Sequence, residues 1–489
     1  MTIKGKEEVL SVHDVAVRYI RSLFLTAKDF LSGVPIAGAV LAVPLSWTSK
    51  QMEALKVAAK DAGLIVLQVL PAPAATVTAY GLTAPRAGGQ LPDHPDAIEG
   101  GSVESHYDVG TELDRNVAVV DVGGSSTAVT VLSARAGIYS LLSSVTEAGL
   151  GGKQVDDALV AFFAKEFTKK TKVPVEENNA RAWAKLRNEA EVTKRALSAS
   201  SSAQCAVESL AEGVDFAGPI NRIRLDLLAA PVYNKVVAKV QDALSQAGLE
   251  ACQVDEVVLA GGSARLPGLT NALLNNLFAE GSRTKLTASI DSDQVIARGC
   301  AVHASTIAAS TAEDSAERTF LLQLPLAPPS EIPALKAPAT SKPIGLVLPA
   351  PSQANGSAGP VSVDGQLFVT LVPAQTPLPA RRVYTLPASQ AGTVVLEFAE
   401  GKSEVKVEKV EPASQDDDDE ELLSDEEEEI QERRIPVVRA EKGRLAAVSY
   451  EAKQKGELVR VEIVLIADGT AKITVGEGSN KKEVSLSAP

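Results

Sequence analysis

Two short runs of this 489-residue sequence carry residue types that can hold an anion. Asp121-Val-Gly123-Gly124-Ser-Ser-Thr127 follows one apolar stretch, and Ala260-Gly261-Gly262-Ser263-Ala-Arg265-Leu-Pro267 contains the end of another. Glycine lets the backbone turn sharply and brings N–H groups within reach of a phosphate. A carboxylate at a strand end, here Asp121, can orient a divalent cation or its waters. Two such turns facing each other would cradle a nucleotide, whereas each alone is equally well a plain tight turn. Neither is a Walker or dinucleotide fingerprint, because the chain has no GxxxxGK[ST] and no GxGxxG.

The elements that must position these turns follow from periodicity. Apolar residues at three- and four-residue steps predict an amphipathic helix over Val9–Leu31. Short apolar strands are expected at Ile36–Val43 and Leu64–Leu70, around a helix from Ser49 to Ala62 with Ser49 as its N-cap. Pro85–Asp108, rich in Gly, Pro, His and Asp, reads as an insertion loop. Strands at Val117–Asp121, Ala128–Leu132 and Glu256–Ala260 would carry the turns, with helices at about 154–169, 177–198, 225–246, 266–278 and 293–310. This alternation predicts an α/β sheet covered by helices. Beyond residue 310 the texture changes. The expectation is a proline-rich linker over 311–351, then a small all-β domain over 352–489.

Composition excludes several classes. The formal net charge is -14, yet Glu411–Glu432 holds thirteen of the 62 acidic residues and no basic one. The remaining 49 acidic residues face 48 basic ones, so the body is near neutral and is no basic nucleic-acid binder. The dense like charge predicts a disordered insert over 411–432, with Ser414 and Ser424 as acidophilic-kinase sites. Three cysteines about fifty residues apart and four scattered histidines give no expected metal site and fit a reducing cytoplasm. No apolar run reaches the roughly twenty residues that cross a bilayer.

Together the motifs resemble the nucleotide-binding domain of the heat shock protein 70 (DnaK-type) family, within the actin and hexokinase superfamily. The resemblance runs through Val43-Pro44, Ala79-Tyr80-Gly81-Leu82, Leu150-Gly151-Gly152, Thr193-Lys194-Arg195, Ile220–Arg224 and the Gly261 turn. It implies an actin-like (ribonuclease H-like) α/β domain over residues 1–310, N-terminally incomplete because the family's first phosphate loop would precede Met1. The tail resembles the family's β-sandwich substrate-binding subdomain without its helical lid. The implied cofactor is ATP. Glu191, Lys194, Arg195 and Ser198 match the adenosine-holding helix, while Gly261, Gly262, Ser263, Arg265 and Asp293 match the other nucleoside contacts. For the Glu191–Ser198 group, ordinary surface i,i+4 pairing is the competing reading.

Asp121, Gly123, Gly124, Gly151 and Gly152 match the phosphate side, but the pattern there is broken. Ala128 stands where the family has an aspartate, and Pro71-Ala72-Pro73 stands for Asn-Glu-Pro. Loss of both carboxylates predicts binding without efficient hydrolysis, and no residue is assigned as catalytic. Degenerate motifs, no lid and an acidic insert resemble the atypical subunit of the fungal ribosome-associated complex. That resemblance implies a heterodimer with the J-domain protein zuotin, a place on the ribosome near the tunnel exit, and stimulation of a second, catalytically active Hsp70 in co-translational folding. An extended partner segment would add to an exposed strand edge of the β domain, with Leu367, Val369, Leu371, Val383, Tyr384 and Leu386 as core or groove residues. The alternative is an active ATP-dependent Hsp70 chaperone.

Overall fold

The computed structural model describes residues 2–3, 6–7, 9–81, 102–104, 114–135, 138–278, 284–309, 338–349, 366–410, 431–476 and 481–486. A small hairpin, β1 (Thr2–Ile3) and β2 (Lys6–Glu7), precedes α1 (Val12–Phe30). Ser11 starts that helix: its hydroxyl accepts the Asp14 N–H and Asp14 accepts the Ser11 N–H. The spacing predicts the helix correctly but not its burial. No residue of α1 is buried, and Val12 and Phe30 are 89% and 87% exposed.

β3 (Ala39–Val43) and β4 (Val66–Pro71) pair in parallel, with α2 (Ser49–Asp61) as the crossover. The cap of α2 is Thr48, not Ser49, because Thr48 and Gln51 satisfy each other's backbone N–H groups. α3 (Ala72–Ala79) follows at once, with Pro73 in its first turn, where a missing N–H costs nothing. Of the expected loop Pro85–Asp108, only β5 (Ser102–Glu104) lies within the described residues, and it is a strand.

The central sheet begins with a meander, β6 (Arg115–Val122), β7 (Ser126–Arg135) and β8 (Ile138–Ala148). Then come α4 (Gly152–Thr171), α5 (Ala180–Ala199), the hairpin β9 (Ser202–Ala211) and β10 (Val214–Asn221), and α6 (Arg222–Ala247). β11 (Glu256–Ala260) returns parallel to β6, with Ala260 beside Asp121. α7 (Pro267–Asn276), β12 (Lys285–Thr287) and α8 (Val295–Ala309) complete the domain, and the sheet order is β12-β11-β6-β7-β8. The core lies between this sheet and the helices. Phe163, Phe167, Leu186, Leu197, Leu225 and Leu259 are all fully buried there, and Phe216 meets both phenylalanines edge-on. Each such side chain stabilises by roughly 1.5–3 kcal/mol. Pairing in register sets the two glycine turns side by side at the carboxyl ends of β6 and β11, where open α/β sheets place their ligands.

The second domain is a sandwich. One sheet runs β14-β13-β16-β17, from β13 (Ile344–Pro349), β14 (Gln366–Val372), β16 (Gly392–Val410) and β17 (Gln431–Ala452). The other runs β20-β19-β18-β15-β5, with β15 (Ala380–Pro387), β18 (Leu458–Leu465), β19 (Ala471–Val475) and β20 (Lys482–Leu486). Leu346, Val369 and Phe398 from the first sheet meet Tyr384, Val461 and Ile473 from the second in one core.

Two expected boundaries shift. Within 311–351, Ile344–Pro349 is a strand paired on both sides, not linker. Pro343 and Pro349 flank it, so their missing N–H groups fall at its ends. Of the insert, 411–430 lies outside the described residues, but Gln431 and Glu432 belong to β17, opposite Val410 and Lys409. The candidate phosphorylation sites Ser414 and Ser424 also lie outside them. Among the described residues no helix follows α8, and no helix is long and apolar enough to cross a membrane.

Candidate nucleotide cleft

A cleft of about 1180 Å³ opens beside the two turns. Glu191, Lys194, Arg195 and Ser198 reach it from α5, because steps of three and four residues put them on one helix face. Gly262, Ser263 and Arg265 enter from the turn after β11, Asp293 from the segment before α8, and Gly124 from the turn after β6. Asp121, Gly123, Gly151, Gly152 and Gly261 do not line the cleft, and Gly123, Gly152 and Gly261 are chain neighbours of residues that do. Ser263 donates its hydroxyl to the Gly123 carbonyl at 2.9 Å, tying the two turns together. A Cβ on Gly152 would lie 2.3 Å from Ser263 Oγ, and one on Gly151 2.6 Å from the Gly123 oxygen. Gly261 is at φ +84°, and a Cβ there would meet the Val122 oxygen at 2.4 Å and Asp121 Oδ1 at 2.5 Å. Close backbone approach requires glycine at 151 and 261, whereas at 152 it is the Ser263 side chain that leaves no room for a Cβ. Burial pushes the Asp121 carboxyl above its ordinary range.

Most of the cleft's charges already have partners. Lys194 Nζ lies 2.8 Å from Asp156 Oδ1 and donates to Oδ2 at 2.9 Å. Arg195 pairs with Glu191 at 2.6 Å along the exposed side of α5, so the helix-pairing reading is realised for that couple. Arg265 bridges Asp291 and Asp293 at 2.7 and 3.3 Å. Sequence reasoning missed Asp156, Lys153 and Arg187 on the wall. The spacing Gly152–Asp156, one turn into α4, was the available signal for the first.

The phosphate side is closed on itself. Gly123 N–H donates to Ser126 O, Gly152 N–H to Gly123 O, and Lys153 N–H to Gly124 O. Three backbone donors there, at Gly123, Gly152 and Lys153, are therefore committed to carbonyls of the first turn. Ala128 is the register partner of Asp121, and Ala72 begins α3, so neither place supplies a carboxylate. Among the described residues no three His, Cys, Asp or Glu side chains cluster to hold a metal. The wall fits a nucleoside, with Arg195 and Arg265 able to stack on a planar base. Asp121 remains as the carboxylate at the end of β6, with Ala128 opposite it.

The fold and cleft define an actin-like (ribonuclease H-like) nucleotide-binding domain joined to a β domain. The family model described as "Hsp70 protein" matches residues 1–325. A heat shock protein 70 homolog of Schizosaccharomyces pombe is 33% identical over 97% of this chain and 75% of its own length. Heat shock 70 kDa protein 14 of Rattus norvegicus is 33% identical over 83% of this chain and 69% of its own. Ribosome-associated complex subunit SSZ1 of Saccharomyces cerevisiae is 30% identical over 84% and 67%. The chain belongs to the Hsp70 family of chaperones, whose members bind ATP.

Proposed function

We propose that this protein is a non-hydrolysing Hsp70-type subunit that works with a J-domain partner, zuotin, as a ribosome-associated co-chaperone in co-translational folding. ATP or ADP is its ligand. Glu191, Lys194, Ser198, Gly262, Ser263, Arg265 and Asp293 hold the nucleoside, and the turns at Gly123–Gly124 and Gly151–Gly152 lie against the phosphates. The stretch 1–310 acts as nucleotide domain and the β domain that begins at β13 as the partner-binding unit, and the protein works in the cytoplasm near the ribosomal tunnel exit beside a second, catalytically active Hsp70.

One observation carries this reading. The nucleoside wall is assembled, while the N–H groups of Gly123, Gly152 and Lys153 donate to carbonyls of the first phosphate turn and Ala128 sits opposite Asp121. Such a site can report nucleotide occupancy to the β domain without turnover. The similarity to ribosome-associated complex subunit SSZ1 supports the partner assignment.

The test is calorimetric nucleotide binding with and without Mg²⁺, single-turnover hydrolysis with and without a J-domain, and co-purification from cells. Binding with little dependence on Mg²⁺, hydrolysis no faster than buffer, and recovery of a J-protein with ribosomes are expected. Hydrolysis that a J-domain accelerates would sink the pseudo-ATPase reading in favour of an active chaperone. Recovery of neither J-protein nor ribosomes would sink the complex.

A further inference from the structure

One hydroxyl on the cleft wall is unused. Ser292 lines the cleft yet is only 5% exposed, and its Oγ is buried with no hydrogen-bond partner among the described residues. Two other serines of the wall are engaged: Ser263 donates to the Gly123 carbonyl at 2.9 Å and Ser198 to the Lys194 carbonyl at 3.3 Å. The backbone around Ser292 is pinned on both sides. Its carbonyl accepts the Gly261 N–H at 2.8 Å, the Tyr80 hydroxyl accepts the Ile290 N–H at 3.1 Å, and the Asp291 carbonyl accepts the Gln294 N–H at 2.8 Å. A buried hydroxyl left unpaired costs free energy, and each such group in a folded protein needs a reason. Held in a fixed place on the wall of a ligand cleft, this one has a reason in an acceptor carried by the ligand.

We propose that Ser292 reads the nucleobase, its hydroxyl donating to a ring nitrogen beside the amino group of adenine. The surroundings select a base there rather than a phosphate. Asp291 and Asp293 flank Ser292 and share one guanidinium, that of Arg265, so the segment carries net negative charge and repels an anion. Leu266, Pro267 and Ala288 add apolar wall to the same cleft. A flat heterocycle buries its faces against such a surface while a few placed polar groups meet its edge. The same charges choose among bases. Adenine sets an amino donor between the ring acceptors N1 and N7, which suits carboxylates beside a donating hydroxyl. Guanine has a carbonyl oxygen in place of that amino group, and the carboxylates repel it.

This inference rests on the reading of the cleft as an adenine-nucleotide site, and its test separates the two. ADP, 7-deaza-ADP and 1-deaza-ADP are titrated calorimetrically into the full-length protein and its Ser292→Ala variant, and both proteins are melted without ligand. Ser292→Ala is expected to bind ADP roughly five- to tenfold more weakly, the loss of one neutral hydrogen bond. One of the two deaza analogues, the one lacking the nitrogen concerned, should bind both proteins equally. Without ligand the variant should melt no lower than the parent, because the hydroxyl it loses is buried without a partner. Equal ADP affinity in the two proteins overturns the proposal and leaves the nucleotide cleft standing. A weakening that persists for both analogues also overturns it, since the contact would then lie on the ribose or phosphates. A melting temperature lowered by more than about 4 °C would show that the protein itself uses the hydroxyl, and overturns it as well. No ADP binding by the unaltered chain removes the nucleotide reading, and this inference with it.

Discussion

Lys194 sets its ammonium 2.8 Å from Asp156 Oδ1, joining α5 to α4 at the back of the cleft. Their side chains are only 12% and 11% exposed, so both charges are largely withdrawn from water. Burial raises the Asp156 carboxyl, and the bond to Lys194 only partly offsets that. The pair is therefore a positioning device more than a source of stability. It fixes Lys194 at the Gly152 carbonyl, 3.4 Å away, where the nucleoside and phosphate sides meet.

Removing one partner exposes that balance. Asp156→Ala leaves a buried, unpaired ammonium and is expected to cost about 3–5 kcal/mol in urea denaturation. The double variant Asp156→Asn/Lys194→Met, which removes both charges and nearly keeps the volume, should be clearly less destabilised than Asp156→Ala while losing nucleotide affinity. A double variant as unstable as the single one would contradict this.

Gly261→Ala tests the turn. The position combines φ +84° with a Cβ 2.4 Å from the Val122 carbonyl. A left-handed alanine costs roughly 1–2 kcal/mol, and backbone displacement adds roughly 1–3. A loss of about 3 kcal/mol is expected, together with loss of nucleotide binding, measured by thermal unfolding and calorimetry. Gly124→Ala, where a Cβ has nothing within 4 Å, should keep most of the stability.

How much of this was legible in the sequence depended on where the signal was local. β11 was read to the residue because four buried apolar residues, Val257–Ala260, end at a glycine pair. The cleft residues were legible as a set, since helical spacing and the Gly-Gly-Ser turn are short-range features. β9 and β10 were not, because alternation in Ser202–Asn221 is broken by polar residues and a bulge. β13 was hidden by its bordering prolines. Asp156 as the partner of Lys194 and Asp114 as the partner of Arg382 join positions 38 and 268 residues apart, which no local pattern encodes. The six apolar residues expected as core or groove proved to be core: Leu367, Val369, Leu371, Val383, Tyr384 and Leu386 are all buried.

Asp121 gives a pH prediction. Its carboxyl titrates above the unfolded value of 3.8 because burial disfavours the charge. Between the two values the native state holds more protons than the unfolded one, so the contribution of Asp121 to stability grows as pH falls through that window and shrinks as pH rises. Asp121→Asn has no such proton. It should unfold at a higher temperature than the parent at pH 7, and the difference should close as pH drops towards 3.8. A constant difference across a pH 3.5–8 melting series would show that the charge is not the cause.

Among the described residues, Arg382–Asp114 and Arg434–Glu250 are ion pairs that join the domains, and their burial predicts opposite consequences. Arg382 and Asp114, with side chains 8% and 21% exposed, meet at 2.7 Å. Arg434 of the β16–β17 ribbon and Glu250, at 59% and 46%, meet at 2.8 Å. Distance alone would rank them as equals, and solvent separates them. Glu250→Gln breaks a hydrated pair, for which about 0–1 kcal/mol is expected. Asp114→Asn leaves Arg382 buried without a counter-charge, a penalty of about 3–5 kcal/mol if the interface holds. The guanidinium can escape that penalty only by reaching water, which requires the β domain to separate from the meander. Arg135, which donates to the Ala374 carbonyl at 2.9 Å from the other side of the contact, would be freed by the same movement. Small-angle scattering should therefore show a larger radius of gyration for Asp114→Asn and an unchanged one for Glu250→Gln. Urea melts should split into two transitions for the first variant only. Equal radii with a single transition in both would mean that the interface tolerates an unpaired arginine, and that hydration does not govern how the domains dock.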